Sequence, residues 1–173
     1  MLFVGAFLFW LTPKDTGFDG SYQLGKQLLR GEVAFDERTP YWEMYEREGK
    51  FYLCYAPIAS ATLAPLIFLT RGTLGQPQLN TLLLLWSGIA LWSFLKRLRP
   101  CRKRATLATV AYLLATPLFY SVTKGEVWFL LHTEGLVFSM AAMAFLVRRR
   151  WFAFGFCFAC ACGCRNALVF TLP

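Results

Sequence analysis

Six apolar segments, separated by short polar or charged stretches, dominate this chain and constrain what it can fold into. The segments are Leu2–Leu11, Ala56–Thr70, Leu79–Leu95, Ala105–Val122, Val127–Val147 and Trp151–Leu172. Several approach the roughly twenty residues that a helix needs to cross a bilayer. The chain is also 57% hydrophobic, with a mean hydropathy of +0.44. These features predict an all-α fold, a polytopic transmembrane helical bundle.

The charged residues are clustered, and the two signs lie in different parts of the chain. Eight of the ten carboxylates fall between Asp15 and Glu48, whereas the densest basic runs are Lys96–Arg104 and Arg148–Arg150. Because basic residues beside membrane spans favour the cytoplasm, both runs are predicted inside and the acidic loop outside the plasma (bacterial inner) membrane. The net charge of +8 is thus explained by topology, and no nucleic-acid partner is predicted.

One transmembrane domain, residues 1–173, is predicted to have two parts. Residues 13–78 form the external loop, which carries short amphipathic interfacial helices, and residues 79–173 form transmembrane helices. The segment 56–70 is expected to be re-entrant or to lie on the outer surface. A normal crossing there would instead require an external amino terminus and a cytoplasmic acidic loop.

The pattern from Asp19 to Gly31 predicts one of these amphipathic helices. Tyr22, Gly25 and Leu29 share a helical face, at spacings of i, i+3 and i+7. Asp19 has the residue type that caps a helix start, and Gly31 the type that ends one. Such a helix is expected to lie along the membrane interface.

Two residues that are charged at neutral pH lie inside predicted spans, where charge is costly. Glu134 should therefore face the bundle interior or a wet cavity. Its alternative role is an interhelical hydrogen bond or salt bridge with no part in chemistry. Arg165, alone in the last apolar segment, needs a partner such as a lipid phosphate or Glu134, or it extends toward the outer headgroups.

The cysteines and the single histidine give no strong metal signal. Four cysteines crowd into Cys157–Cys164, without the paired loop spacing of a zinc site, so packing is the favoured interpretation. Glu126, His132 and Glu134 offer a divalent-cation alternative, which is not favoured because Glu126 and His132 do not share a helix face. No cofactor is required by the sequence, and nothing in it indicates an oligomeric state.

The order of features resembles the GT-C membrane glycosyltransferases, including the bacterial relatives of protein O-mannosyltransferases and of the lipid A aminoarabinose transferase. Four places carry the resemblance: the span and acidic loop that opens with Thr16–Leu24, the aromatic-Pro stretch Gly49–Pro57, the hairpin tip followed by an acidic residue, and Gly163–Ala167 ahead of Leu172-Pro173. Members of that family carry many more spans, so we expect this chain to be an amino-terminal fragment.

The resemblance implies transfer of a sugar from a polyprenyl-phosphate donor to an acceptor on the outer face of the membrane. Asp19 occupies the place of the family's catalytic base, with Asp15 as the second choice. The resemblance also implies that Glu134 shapes the catalytic cavity. Arg165 and Lys124 would bind the carrier phosphate. The expected partners are therefore membrane lipid and the lipid-linked donor, and a metal is not favoured.

Two other functions stay open from the sequence. In a transporter or lipid-binding membrane protein, the same intramembrane charges would line a permeation path. The absence of a visible internal repeat and the large acidic loop argue against this. The other alternative is an inactive fragment of the transferase, so enzymatic activity is an expectation that depends on the chain's length.

Overall fold

The computed structural model describes residues 2–40, 42–98, 101–115, 118–124 and 126–164. Within these ranges the protein is mostly helical, as predicted. The elements are α1 Leu2–Leu11, α2 Gly20–Leu29, β1 Met44–Arg47, β2 Lys50–Leu53, α3 Pro57–Leu69, α4 Gln76–Leu98, α5 Arg102–Leu114, α6 Leu118–Lys124, α7 Val127–Val147 and α8 Trp151–Cys164.

Within the described residues, five of the six apolar segments correspond to one helix each, and the fourth does not. The predicted span Ala105–Val122 is divided into α5 and α6. A proline removes a helical hydrogen bond and disfavours the helical conformation in the residue before it. Pro117 itself lies outside the described residues, as does the part of Trp151–Leu172 that follows Cys164.

Helix α2 ends as its sequence predicts. Gly31 has a φ of +79°, its amide donates to the Leu28 carbonyl, and the Glu32 amide donates to that of Gln27. This pair of bonds is a Schellman motif, which glycine favours because it adopts positive φ without strain. Tyr22 and Gly25 are buried, as expected, but Leu29 is exposed. The buried face is completed by residues nearer the start of the helix.

A β-hairpin, which the all-α prediction did not include, lies in the acidic loop. Strands β1 and β2 pair antiparallel, with Arg47 opposite Lys50. The two residues between them, Glu48 and Gly49, have φ values of 55° and 73°, as a type I′ turn requires. Stacked rings of Tyr45 and Tyr52, with centroids 5.3 Å apart, add a cross-strand contact.

Helix α4 is the centre of the bundle, and contacts along it fix the direction of its neighbours. Helices α1 and α5 run antiparallel to α4, whereas α7 runs parallel to it. For α1, a β-carbon at Gly5 would contact Leu85, and Thr12 bonds to Thr81. For α5, Trp92 bonds to Thr106 and Ser87 to Tyr112. For α7, Leu79 and Leu130 share one buried cluster, and Arg148 bonds to Ser93.

These directions separate the charges between the two ends of the bundle. Arg148 Nη2 donates to Ser93 Oγ at 2.6 Å, so the Arg148–Arg150 run lies near the basic carboxyl end of α4. The acidic loop is attached at the opposite end, where α4 begins. The structure thus has a basic end and an acidic end, about a helix length apart.

Two helical stretches, Gln76–Leu98 and Phe129–Val147, are long and apolar enough to cross a membrane. Less than half of each stretch is buried inside the protein, which differs from a core helix of a soluble domain. Trp86 and Ile89 on α4 are more than half exposed. Helices α3 and α8 are apolar but shorter.

Candidate functional site

The start of α2 is attached to the start of α4 by one buried glutamine. Gln76 Oε1 accepts a hydrogen bond from the Tyr22 amide at 3.0 Å, and Gln76 Nε2 donates to the Phe18 carbonyl at 3.1 Å. The Gln76 side chain is almost fully buried, where such groups need hydrogen-bond partners. It therefore fixes the position of Asp19, which lies between Phe18 and Tyr22.

Asp19 is in the N-cap position of α2, yet its side chain makes no capping hydrogen bond. Instead, Asp19 Oδ2 accepts a hydrogen bond from Gln23 Nε2, one turn along the helix, at 2.6 Å. The interpretation of Asp19 as an ordinary side-chain cap of α2 is thus wrong. Its carboxylate is oriented by one partner and remains partly exposed, so it can accept a proton from a bound molecule.

A second carboxylate, Asp15, lies in the same region, beside the turn that leads into α4. A β-carbon at Gly75 would overlap the Lys14 carbonyl oxygen and lie 3.4 Å from Asp15 Oδ1, so only glycine allows this close approach.

Burial raises the pKa of the Tyr22 phenol, and the charges of Asp19 and Asp15 raise it further. Tyr22 OH donates to the Gly72 carbonyl at 3.3 Å.

Glu134 is fully buried in α7, which agrees with the prediction that it faces the bundle interior. Its Oε2 atom lies 3.9 Å from Cys164 Sγ, the donor of a weak hydrogen bond. Its Oε1 atom has no hydrogen-bond partner among the residues that the structure describes. A buried carboxyl with one weak partner is costly, and such residues are often functional in membranes.

A buried asparagine that the sequence reasoning missed lies at about the same depth in the bundle. Asn80 is 13 residues before Ser93 on α4, and Glu134 is 14 residues before Arg148 on the parallel helix α7. Neither amide atom of Asn80 has a partner within the described ranges. The polar residue inside the apolar run Leu79–Leu95 was the available signal.

Of the two residues predicted to bind the carrier phosphate, Lys124 and Arg165, only Lys124 lies in the described part of the chain. Lys124 is exposed at the end of α6, with its Nζ 5.9 Å from the ring centroid of Tyr120. Since α5 and α6 lead away from the basic end, Lys124 is at the acidic end of the bundle. Arg165 lies outside the described residues.

Asp19 and Glu134 each lie within one helical turn, along the chain, of a residue of one hydrophobic cluster. Tyr22, three residues after Asp19, and Leu130, one turn before Glu134, both belong to that buried cluster. No hydrogen bond joins the two carboxyl groups in the described part of the chain. The structure thus brings them to the same end of the bundle without direct contact.

Among the described residues, no group of three or more histidine, cysteine or acidic side chains could hold a metal ion. No family model matches this chain, and searches of curated proteins and of solved structures give no significant match.

Proposed function

We propose that this protein is a membrane glycosyltransferase of the GT-C type, which moves a sugar from a polyprenyl-phosphate donor to an acceptor on the outer face of the membrane. The observation that carries this proposal is the state of Asp19. Its carboxylate is not used to cap α2, is oriented by Gln23 at 2.6 Å, and is partly exposed at the acidic end.

In the proposed reaction, Asp19 acts as a general base. An acceptor hydroxyl gives its proton to the Asp19 carboxylate while its oxygen forms a bond to C1 of the donor sugar. The bond between C1 and the phosphate oxygen breaks, and its electron pair leaves with the polyprenyl phosphate. A cation near the departing phosphate stabilises the developing charge.

Lys124 and Arg165 are the residues proposed to supply that positive charge. Lys124 is supported by its exposure at the acidic end of the bundle, and Arg165 by the family resemblance. Glu134 is proposed to shape the polar interior below the loop. Its complete burial, and an Oε1 atom without a partner among the described residues, support a role that involves a further polar group.

The proposed location is the plasma (bacterial inner) membrane, crossed several times, with the acidic loop external. The separation of basic and acidic ends supports this orientation, because basic residues favour the cytoplasmic side. Exposed apolar side chains along the bundle support contact with lipid. Phe7 and Trp10 on α1 and Phe152 and Phe156 on α8 are all at least half exposed.

Helix α3 is proposed to lie on the outer side rather than to cross the membrane. Its 13 residues span about 20 Å at the rise of an α-helix, less than the roughly 30 Å of the hydrocarbon core. It packs against α2, since a β-carbon at Gly25 would be 3.2 Å from the Ser60 carbonyl oxygen.

The reaction is tested with the chain reconstituted in liposomes and a panel of radiolabelled polyprenyl-phosphate hexoses. Release of polyprenyl phosphate by slow transfer to water gives a readout that needs no known acceptor. Asp19→Asn should reduce turnover by about 100-fold or more, as expected for loss of a general base. Glu46→Gln, a change of equal size on the exposed hairpin, is the control. Wild-type turnover by Asp19→Asn would reject Asp19 as the base.

The proposed topology is tested with two native cysteines. Cys54 follows the hairpin, Cys101 lies in the basic run between α4 and α5, and both are exposed. In intact spheroplasts, a membrane-impermeant maleimide should label the Cys101→Ser variant, which retains the external Cys54. It should not label the Cys54→Ser variant, which retains Cys101 on the cytoplasmic side. The reverse pattern would mean that the acidic loop is cytoplasmic.

A further inference from the structure

A cleft of about 550 Å³ lies beside α2, in the loop that carries Asp19. One wall is a polar stripe of α2, formed by Gln23, Lys26, Gln27 and Arg30, and Trp42 also lines the cleft. Counted from Gln23, the other three lie three, four and seven positions along α2, so all four share one side of the helix. The cleft is separate from the membrane helices and from Glu134.

One lining residue of the cleft contacts Asp19, and another contacts its neighbour Gly20. Gln23, which lines the cleft, donates to Asp19 Oδ2 at 2.6 Å. The Trp42 ring lies against the neighbouring residue, because its Cδ2 atom would be 3.6 Å from a β-carbon at Gly20. A molecule held in the cleft would therefore lie next to the proposed base.

Two side chains of the cleft have a polar atom without a partner in the part of the chain that the structure describes. These atoms are Gln27 Oε1, an acceptor, and Trp42 Nε1, a donor. Leaving a buried polar group without a hydrogen bond is costly, so a ligand that supplies both partners recovers that cost. Both atoms are shielded from solvent, and we expect a side-chain rotation on binding, as is common at interfaces.

The rest of the lining identifies the chemistry of the ligand. Trp42 packs edge-on against Phe35, with ring centroids 5.4 Å apart, and offers a flat apolar surface. Lys26 and Arg30 on one wall and Asp36 and Glu37 on the lining supply two charges of each sign. No ion pair among these four side chains is found in the described ranges. A balanced set of donors and acceptors beside an aromatic ring suits a neutral, hydroxyl-rich ring.

We propose that this cleft binds a pyranose ring of the acceptor, with its hydroxyl groups bonded to Gln27 and Trp42 and its apolar face against the Trp42 ring. Each sugar hydroxyl both donates and accepts, which matches the Gln27 acceptor and the Trp42 donor that lack partners in the described ranges. The assignment of this sugar as the acceptor rests on the proposed function. The binding itself requires no donor lipid.

Binding is measured from the indole N–H signals of the six tryptophans in the ¹⁵N-labelled full chain in micelles. Trp42 is assigned from the signal that Trp42→Phe removes. The probes are methyl α-mannopyranoside, methyl β-glucopyranoside and N-acetylglucosamine. At least one should shift the Trp42 signal saturably, with a midpoint on the order of millimolar, as weak binding by few groups implies.

Gln27→Leu should weaken this binding about five- to tenfold, as expected for loss of one neutral hydrogen bond, whereas Glu46→Gln should leave it unchanged. Absence of any saturable Trp42 shift in the wild-type chain would overturn the proposal. A Trp42 shift of equal size with inorganic phosphate alone would also overturn it, because the cleft would then be an anion site of Lys26 and Arg30.

The two proposals fail in different ways. Asp19→Asn should lose transfer and still bind the sugar probe, since asparagine retains a carbonyl that accepts from Gln23. If the protein transfers sugar but binds no sugar probe in the cleft, the sugar site is rejected and the proposed transferase function is not. If sugar binding is saturable but transfer does not depend on Asp19, Asp19 is rejected as the base. The proposed sugar site in the cleft is then still supported.

Discussion

The contact between α2 and α3 depends on Gly25, and its loss should release the loop that carries Asp19. A β-carbon at this position would lie 2.9 Å from Ile67 Cδ1 and 3.2 Å from the Ser60 carbonyl oxygen. The isoleucine can rotate away, but the carbonyl belongs to the backbone of α3 and cannot. Gly25→Leu adds three more carbons to this contact, so the two helices must separate.

The size of the effect follows from two opposing terms. Replacing glycine in a helix gains up to about 1 kcal/mol of helix propensity, whereas overpacking costs about 1–3 kcal/mol. For Gly25→Ala the gain in helix propensity and the cost of overpacking nearly cancel. For Gly25→Leu the overpacking exceeds the gain because the side chain is larger, and a net loss of about 1–2 kcal/mol corresponds to a 5- to 30-fold change in local opening.

Amide hydrogen exchange of α2, followed by mass spectrometry, measures this opening directly. Protection of residues 20–29 should fall about 5- to 30-fold in Gly25→Leu, in line with that free energy. Gly17→Leu is the matched control, because a β-carbon at Gly17 has no atom within 4 Å. Wild-type protection in Gly25→Leu would refute the reasoning, since α2 would then be held by something other than close packing on α3.

Two further predictions concern the junctions between the loop and the bundle. Thr12→Val removes the 2.8 Å bond between Thr12 Oγ1 and Thr81 Oγ1 and should lower the free energy of unfolding in mixed micelles by about 0.5–1.5 kcal/mol; an unchanged value would contradict a stabilising role. Tyr22 has a raised pKa, so its contribution to stability is fully present below pH of about 10 and lost as the pH rises through the folded-state pKa. Tyr22→Phe should therefore lose less stability than the wild-type chain on alkaline titration followed by circular dichroism, and equal losses would contradict this.

The sequence predicted the helices well wherever an apolar run ended at a strong signal. Helix α7 has the bounds Val127–Val147 that its apolar run predicts, and α2 ends where Gly31 requires positive φ. The limits of the apolar run and the glycine after α2 are both local signals, and neither depends on which residues pack around the helix. The hairpin was missed although Gly49 is of a type common in turns, because the acidic loop was predicted to carry only interfacial helices.

The candidate site was predictable only in part, because it depends on tertiary contacts. The position of Asp19 at the start of α2 follows from the sequence, but its choice of Gln23 over the helix amides does not. Gln76 and Asn80 look alike in sequence, as polar residues near the start of an apolar run. Only the structure distinguishes Gln76, which has partners on the loop, from Asn80, whose amide has none among the described residues.

The attachment through Gln76 has a consequence for how the proposed enzyme would work. Gln76 is the first residue of α4, and its two hydrogen bonds hold the backbone on both sides of Asp19. A displacement of α4 would therefore move the proposed base together with the Gln23 wall of the cleft. Since α4 also packs along α7, which carries Glu134, the loop part and the bundle part of the proposed site are both attached to α4. The acceptor and donor ends would then be aligned by α4 rather than by direct contact between the two carboxyl groups.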